Sequence, residues 1–193
     1  MIGIKNQKTD FINPARDNLF MNIYLREISK TDLPLINCWR NDHEVIDLLG
    51  NNFLFIAAEV DEKWYENYLQ NRQLQKRLTI VDAVEDVVIG TIQLTNIHAV
   101  NKTAEYSIMI GNKNYWGKGA GYTATIQILD HGFNDLNLNR IYLTVLSENN
   151  RAINLYVKAG FVREGTEREA IFKNGAYHDL LLMSILKKDF IKK

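Results

Sequence analysis

The segment Gly111-Asn112-Lys113-Asn114-Tyr115-Trp116-Gly117-Lys118-Gly119-Ala120-Gly121-Tyr122 constrains this chain more than any other. It follows a strand-like alternation and opens a helix-like run. Glycines at such a junction let backbone N–H groups converge, and the helix N-terminus behind them favours an anion such as a phosphate. About thirty residues on comes Ser147-Glu148-Asn149-Asn150-Arg151-Ala152-Ile153-Asn154-Leu155-Tyr156, closing with Lys158-Ala159-Gly160-Phe161. The order and spacing of the two clusters make the chain readable.

Two familiar phosphate loops fail here. A Walker A loop needs four residues between its first glycine and Gly-Lys, followed by Ser or Thr. Gly111 and Gly117 enclose five, and Gly119 follows Lys118. A dinucleotide fingerprint needs Gly-x-Gly-x-x-Gly after the first strand of a βαβ unit, whereas Gly117, Gly119 and Gly121 alternate and follow antiparallel strands. What survives is a backbone cradle suited to a pyrophosphate, or simply a glycine-rich turn.

The surrounding pattern alternates strands and helices with no internal repeat. Asn22–Glu27 reads as a strand. Ser29 or Thr31 can cap a helix carrying Leu33, Ile36 and Trp39 at threefold spacing, with Pro34 in its first turn. Asp61–Leu74 reads as a second helix that buries Trp64, Tyr65 and Tyr68 or Leu69. Arg77–Asp82, Val87–Thr95 and Thr103–Ile110 read as strands, the second placing Val88, Gly90, Ile92 and Leu94 on one face. After the glycines, Tyr122, Ile126, Leu129 and Phe133 form a helical stripe. Arg140–Leu146 is a strand. Asn149 caps a helix with Ala152, Leu155, Tyr156 and Ala159 inward, and Gly160 ends it in a left-handed conformation. Phe161–Arg163 and Asp179–Leu186 close the series. The expected class is α/β (α+β), with a large sheet antiparallel early and crossing over through helices later.

A chain of 193 residues suffices for one domain, burying roughly 70% of its unfolded surface. Residues 1–20 read as a loosely ordered leader without the apolar core of a secretory signal, and residues 21–193 as the domain. The single cysteine, Cys38, excludes an intrachain disulfide framework and fits a reducing, cytoplasmic setting. No apolar run is long enough for a membrane helix, and a net charge of zero gives no general field for nucleic acid. His43, His98, His131 and His178 lack metal spacing, so no metal is expected. Residues 31–70 hold eight acidic and two basic side chains, a net of −6, and residues 71–193 carry +4. That asymmetry can separate a cationic substrate from an anionic cofactor, or merely solvate helix surfaces.

The two clusters together resemble the GNAT family of N-acetyltransferases, whose acetyl-CoA loop reads Arg/Gln-x-x-Gly-x-Gly/Ala. Here that slot is Trp116-Gly117-Lys118-Gly119-Ala120-Gly121, with Trp116 in place of Arg or Gln. Within the family the chain is most similar to the ribosomal-protein-alanine and spermidine acetyltransferase branch. Val88-Ile89-Gly90, Thr103-Ala104-Glu105-Tyr106, Asn137-Leu138-Asn139 and Asn174-Gly175-Ala176-Tyr177 carry that likeness over about residues 22–187. Trp39-Arg40-Asn41-Asp42 instead resembles some amino-sugar acetyltransferases.

The resemblance implies a single-domain GNAT fold, a mixed and largely antiparallel sheet of six to seven strands flanked by about four helices. It implies acetyl-CoA as cosubstrate and direct transfer to a primary amine of a small cationic acceptor, a polyamine or amino sugar. Two alternatives stay open: an acetyltransferase for protein N-termini of the ribosomal-protein type, and a non-catalytic acyl-CoA-binding module. A homo-oligomer is implied by the family alone.

The family also assigns roles. Tyr156 is implied as the acid that protonates the departing thiolate, a role suited to a phenol of pKa near 10, although its helical spacing equally permits a core residue. Backbone N–H groups near Ile108, Met109 and Ile110 are implied to hold the acetyl carbonyl and pantetheine arm at a splay between strands. Asn149 is implied to bond that arm, beside its role as helix cap. Lys118 adds a charge to the phosphate loop or is solvated. The residues themselves, not the family, make Glu105 the first choice to bind the ammonium or take its proton through water, unless it is merely exposed or paired with a basic neighbour; Glu85 or Asp86 comes second.

Overall fold

A computed structural model describes residues 21–190; the leader read at residues 1–20 lies outside them. Strands β1 (Ile23–Glu27), β2 (Lys76–Asp82), β3 (Val87–His98), β4 (Thr103–Met109), β5 (Arg140–Leu146), β6 (Val162–Lys173) and β7 (Ala176–Leu186) form one sheet in the order β1-β2-β3-β4-β5-β7-β6. Every pairing is antiparallel except β4 with β5. Helices α1 (Leu33–Arg40), α2 (His43–Ile46), α3 (Ala58–Gln70), α4 (Ala120–Asp130), α5 (Asn150–Ala159) and α6 (Lys187–Phe190) complete the described fold. The sheet has the upper number of strands expected. The helices exceed the expected four because α2 and α6 are single turns of four residues each, too short for a periodic signal.

Two apolar clusters cover the two faces of the sheet. Ile92, Leu94, Ala104 and Tyr106 face α4 and α5 and pack with Ile128, Leu129, Phe133, Ile153 and Tyr156. On the other face Ile36, Trp39 and Tyr68 of α1 and α3 pack with Val88, Met109 and Trp116. Strand side chains alternate, so the residues between the first set, Gln93, Glu105 and Ser107, stand on the α1–α3 side.

Several sequence expectations shift. The second helix begins at Ala58 rather than Asp61, and Arg72–Leu74 is a separate 3-10 turn. Asp61 is fully buried, accepting from Arg40 and from Asn37 Nδ2 (2.6 Å), and Leu69 is exposed. The inward face of α4 is centred on Ala120, Ala124, Ile128 and Leu129, and Tyr122 and Ile126 sit at its margin. In α5 the buried positions are Ile153, Tyr156 and Ala159, while Ala152 and Leu155 are half-covered. The last two strands are far longer than expected. Residues 164–178 form a hairpin whose turn, Asn174-Gly175, has φ of 51° and 81°. Two successive positive φ values are the geometry Asn-Gly favours between paired strands.

The hairpin is tied to the sheet by Arg140 of β5. Its guanidinium makes a forked pair with Glu164 of β6 (2.5 and 2.6 Å), and Ser184 of β7 donates to the same carboxylate (2.6 Å). These partners, Arg140 foremost, hold the Glu164 carboxyl at about 2, below its ordinary value of 4.5. A depressed carboxyl adds stability above the unfolded pKa and loses it as pH falls through the folded one. The wild type should therefore exceed Glu164→Gln in melting temperature near neutrality, with the gap closing between pH 4.5 and about 2. A gap independent of pH in thermal melts would contradict this role.

Candidate active site

β4 and β5 pair only from Thr103–Glu105 against Arg140–Tyr142. Beyond Glu105 they part, although β4 continues to bond β3 through Met109. Backbone groups alternate sides along a strand, so half of those between Tyr106 and Met109 face the gap without a strand partner. A cleft of about 1620 Å³ opens there, larger than the roughly 300–1,000 Å³ of a drug-sized pocket. Tyr106, Ser107, Ile108, Met109, Ile110 and Glu105 line it.

At one end lies the glycine loop. Gly117 and Gly119 have φ of 78° and 88°, a region that favours glycine, and a Cβ on Gly117 would meet nothing within 4 Å. Gly117 is thus required by its backbone angle rather than by crowding. Gly119 is the N-cap of α4, and no side chain caps that end. The first intrahelical bond runs from Thr123 N to Gly119 O (3.1 Å), so the amides of Ala120 and Gly121 precede it. These donors and the helix dipole fit a diphosphate. Gly121 packs on Leu155 of α5, where an added Cβ would come within 3.0 Å.

Trp116, the departure from the family pattern, donates from Nε1 to the Ile110 carbonyl (2.7 Å). It therefore braces the junction between strand and loop. Arg151 of α5 lies 5.6 Å over its ring, and Lys118 lies 5.8 Å from Tyr115. A guanidinium thus stands beside the loop even though residue 116 is not Arg. Sequence reasoning missed Arg151 because its neighbour comes from a different part of the chain. Lys113 is otherwise engaged, pairing with Asp42 (2.8 Å) and Glu44 of the α2 turn.

Tyr156 lines the cleft from the α4–α5 side. Its ring meets Tyr106 edge-on at 5.8 Å and Phe161 at 5.8 Å. Burial raises its phenol well above the ordinary value. Tyr106 is raised too, chiefly by burial, and shares a hydrogen bond of 2.8 Å with Thr125. Asn149 is a cap: its Oδ1 accepts from Ala152 N (3.1 Å), and its Nδ2 donates to Leu48 O (2.8 Å).

Glu105 stands at the parting point on the α1–α3 face, accepting from Asn96 Nδ2 (2.7 Å). Among the described residues it is the only carboxylate lining the cleft. Glu85 and Asp86 do not line it; they occupy the β2–β3 turn, where Asp86 accepts from Tyr24 (2.8 Å). Five of the eight carboxylates in residues 31–70 pair with cations of the chain itself. Asp32 pairs with Arg26, Asp61 with Arg40, Glu62 with Lys30, and Asp42 and Glu44 with Lys113.

Trp39-Arg40-Asn41-Asp42 likewise turns out to be scaffold. Trp39 covers Gly111 so closely that a Cβ there would lie 1.9 Å from the indole. Asn41 clamps both backbone groups of Ile56, at 2.9 Å each. A further wall residue escaped the sequence reading. Lys173, buried in the hairpin, donates to the carbonyls of Ile46, Leu49 (2.7 Å) and Asn51 (3.0 Å), and burial lowers its pKa. It fixes the 46–51 loop that borders the cleft.

Residues 22–162 match the family model described as "Acetyltransferase (GNAT) domain". The chain belongs to that family and is an acetyltransferase. It is 31% identical over 169 residues to spermidine N(1)-acetyltransferase of Vibrio cholerae serotype O1, covering 88% of this chain and 95% of that one. With the spermidine N(1)-acetyltransferase of Escherichia coli K12 it shares 28% over 170 residues, covering 88% and 89%. Among solved structures it is similar to the Vibrio cholerae spermidine N-acetyltransferase in complex with CoA and spermine. The TM-score there is 0.83 at 30% identity, with 88% of this chain and 98% of that one covered.

Gly119→Asp should weaken CoA binding by about 10²-fold or more, through left-handed strain and like charge together. Calorimetric titration of CoA checks this, with Gly119→Ala separating strain from charge. Unchanged affinity in the Asp variant would contradict the cradle.

Proposed function

We propose that this protein transfers the acetyl group of acetyl-CoA to a primary amine of a polyamine, by direct attack without an acyl-enzyme. The observation that carries this reading is the polarity of the cleft. One end has the uncapped α4 terminus with Lys118 and Arg151, and the parting point of β4 and β5 has the lone carboxylate Glu105. An anionic cosubstrate suits the first, an ammonium the second. The likeness to spermidine acetyltransferases over nearly the whole of their length supports the choice of acceptor.

In this reading the amides of 117–121 hold the diphosphate, and the pantetheine arm lies along Ile108, Met109 and Ile110. Glu105 binds the acceptor ammonium and relays its proton to water. Tyr156 gives its proton to the sulfur as the C–S bond breaks. Glu105 and Tyr156 approach from opposite faces of the sheet, so attack and departure are separated in space. Asn149 acts by fixing the start of α5 and so the position of Tyr156. The acetyl-CoA requirement and the single exposed thiol, Cys38, fit a cytoplasmic setting. β6, an edge strand exposed along most of its length, offers the backbone for a homo-oligomer.

CoA release measured against spermidine, spermine, amino sugars and short peptides tests the assignment. Polyamines should give the highest kcat/KM. Turnover confined to peptides would move the protein to the N-terminal acetyltransferases, and CoA binding without turnover would leave a binding module. Tyr156→Phe should retain CoA affinity and lose ~10²-fold in kcat. Because burial raises the phenol, the wild-type rate should show no alkaline decline from Tyr156 below pH ~10. Unchanged kcat in the Phe variant would remove Tyr156 from the chemistry.

A further inference from the structure

Across the sheet face that carries Glu105, three side chains stand in register: Arg77 of β2, Gln93 of β3 and Ser107 of β4. They are joined in sequence. Arg77 donates to Gln93 Oε1, and Gln93 Nε2 donates to Ser107 Oγ (2.7 Å). All three line the cleft.

The chain of bonds has a fixed direction. A guanidinium has donors and no acceptor, so the amide of Gln93 must turn its oxygen to Arg77. Its nitrogen then faces Ser107, which must accept. The hydroxyl hydrogen of Ser107 is left to point elsewhere, and no described side chain or backbone group takes it up. Ser107 is exposed to the cleft, on the same face as Glu105 and about 6.8 Å along the strand from it.

The far end of the chain is charged and uncompensated. Arg26, Arg40, Arg72 and Arg140 each pair with a carboxylate. Arg77 has instead the amide oxygens of Gln75 (2.8 Å) and Gln93, and the Trp64 ring at 4.8 Å. A guanidinium kept without a counter-ion polarises the bonds leading from it. The effect is a donor at residue 107 suited to an oxygen on which negative charge grows.

Resting on the acetyltransferase reading above, we propose that Ser107 is a catalytic residue whose hydroxyl hydrogen bonds the acetyl oxygen during transfer. Arg77 and Gln93 are positioning residues that set the direction of that hydrogen. The neutral amine forms the N–C bond, and the carbonyl electron pair moves onto oxygen, where Ser107 meets it without giving up its proton. The pair returns as the C–S bond breaks, and sulfur takes the proton of Tyr156. The surplus proton on nitrogen leaves through Glu105 and water, from which the phenol is restored.

The test is Gln93→Glu. A carboxylate accepts from both neighbours, so it would pair with Arg77 and draw the Ser107 hydrogen away from the cleft while keeping every hydroxyl in place. With acetyl-CoA and spermidine, kcat should fall on the order of 10²-fold, as it should in Ser107→Ala. KM for acetyl-CoA should stay within about two-fold, because only transition-state contacts change. The melting temperature of Gln93→Glu should hold or rise, since Arg77 gains a counter-ion, and Ser107→Thr should keep most of the activity. Wild-type kcat in Gln93→Glu would overturn the proposal, and so would a loss of turnover that merely tracks a lowered melting temperature. If the wild type releases no CoA with any amine, the acetyltransferase reading falls and takes this proposal with it. An active wild type matched by Gln93→Glu would sink this proposal alone.

Discussion

β4 and β5 run side by side for three residue pairs and then separate, and the whole candidate site depends on that parting. A parallel pair needs a long crossover connection, here α4 and its approach. The crossover brings the glycine loop to the mouth of the gap. The gap itself exposes backbone donors and acceptors that a continuous sheet would consume. Close approach on the β3 side keeps the end of β4 in place: at Gly90 an added Cβ would stand 2.3 Å from the Met109 carbonyl. Glycine at 90 therefore lets the end of β4 stay against β3 after it has left β5.

The two faces of the sheet then acquire different chemistry from one alternation. Tyr106 points to the α4–α5 side and meets Tyr156 there. Its neighbours Glu105 and Ser107 point to the other, where α1, α3 and the Lys173-held loop form the wall. The first side is apolar and keeps a phenol protonated. The second is polar, with cations largely paired and one carboxylate left open. A group lodged in the gap is reached from both sides at once.

Local signals made much of this legible. The limits of β5 and α5 follow from an alternation, an Asn cap and a Gly stop, each read within a few residues. The glycine loop is legible for the same reason, since positive φ and an open helix end are local demands. What was hidden is non-local. Asp61 lies within a helix rather than at its start, and its partner Arg40 is one helix away. The acidic run looked available until five of its eight carboxylates met their cations in three dimensions. Arg77, Gln93 and Ser107 are unremarkable in sequence and become a directed chain only through strand register. The Asn174-Gly175 pair, by contrast, is a local hairpin signal, but it does not fix how far the flanking strands run.

In the proposed reaction one gap in the sheet holds the diphosphate at residues 117–121 and presents the thioester between Tyr156 and Glu105. A crystal structure of the full chain with CoA bound tests it most directly. Diphosphate oxygens should lie within hydrogen-bond reach of the loop amides, and the sulfur beside the Tyr156 hydroxyl. A diphosphate bound elsewhere, or a sulfur screened from that hydroxyl, would contradict it.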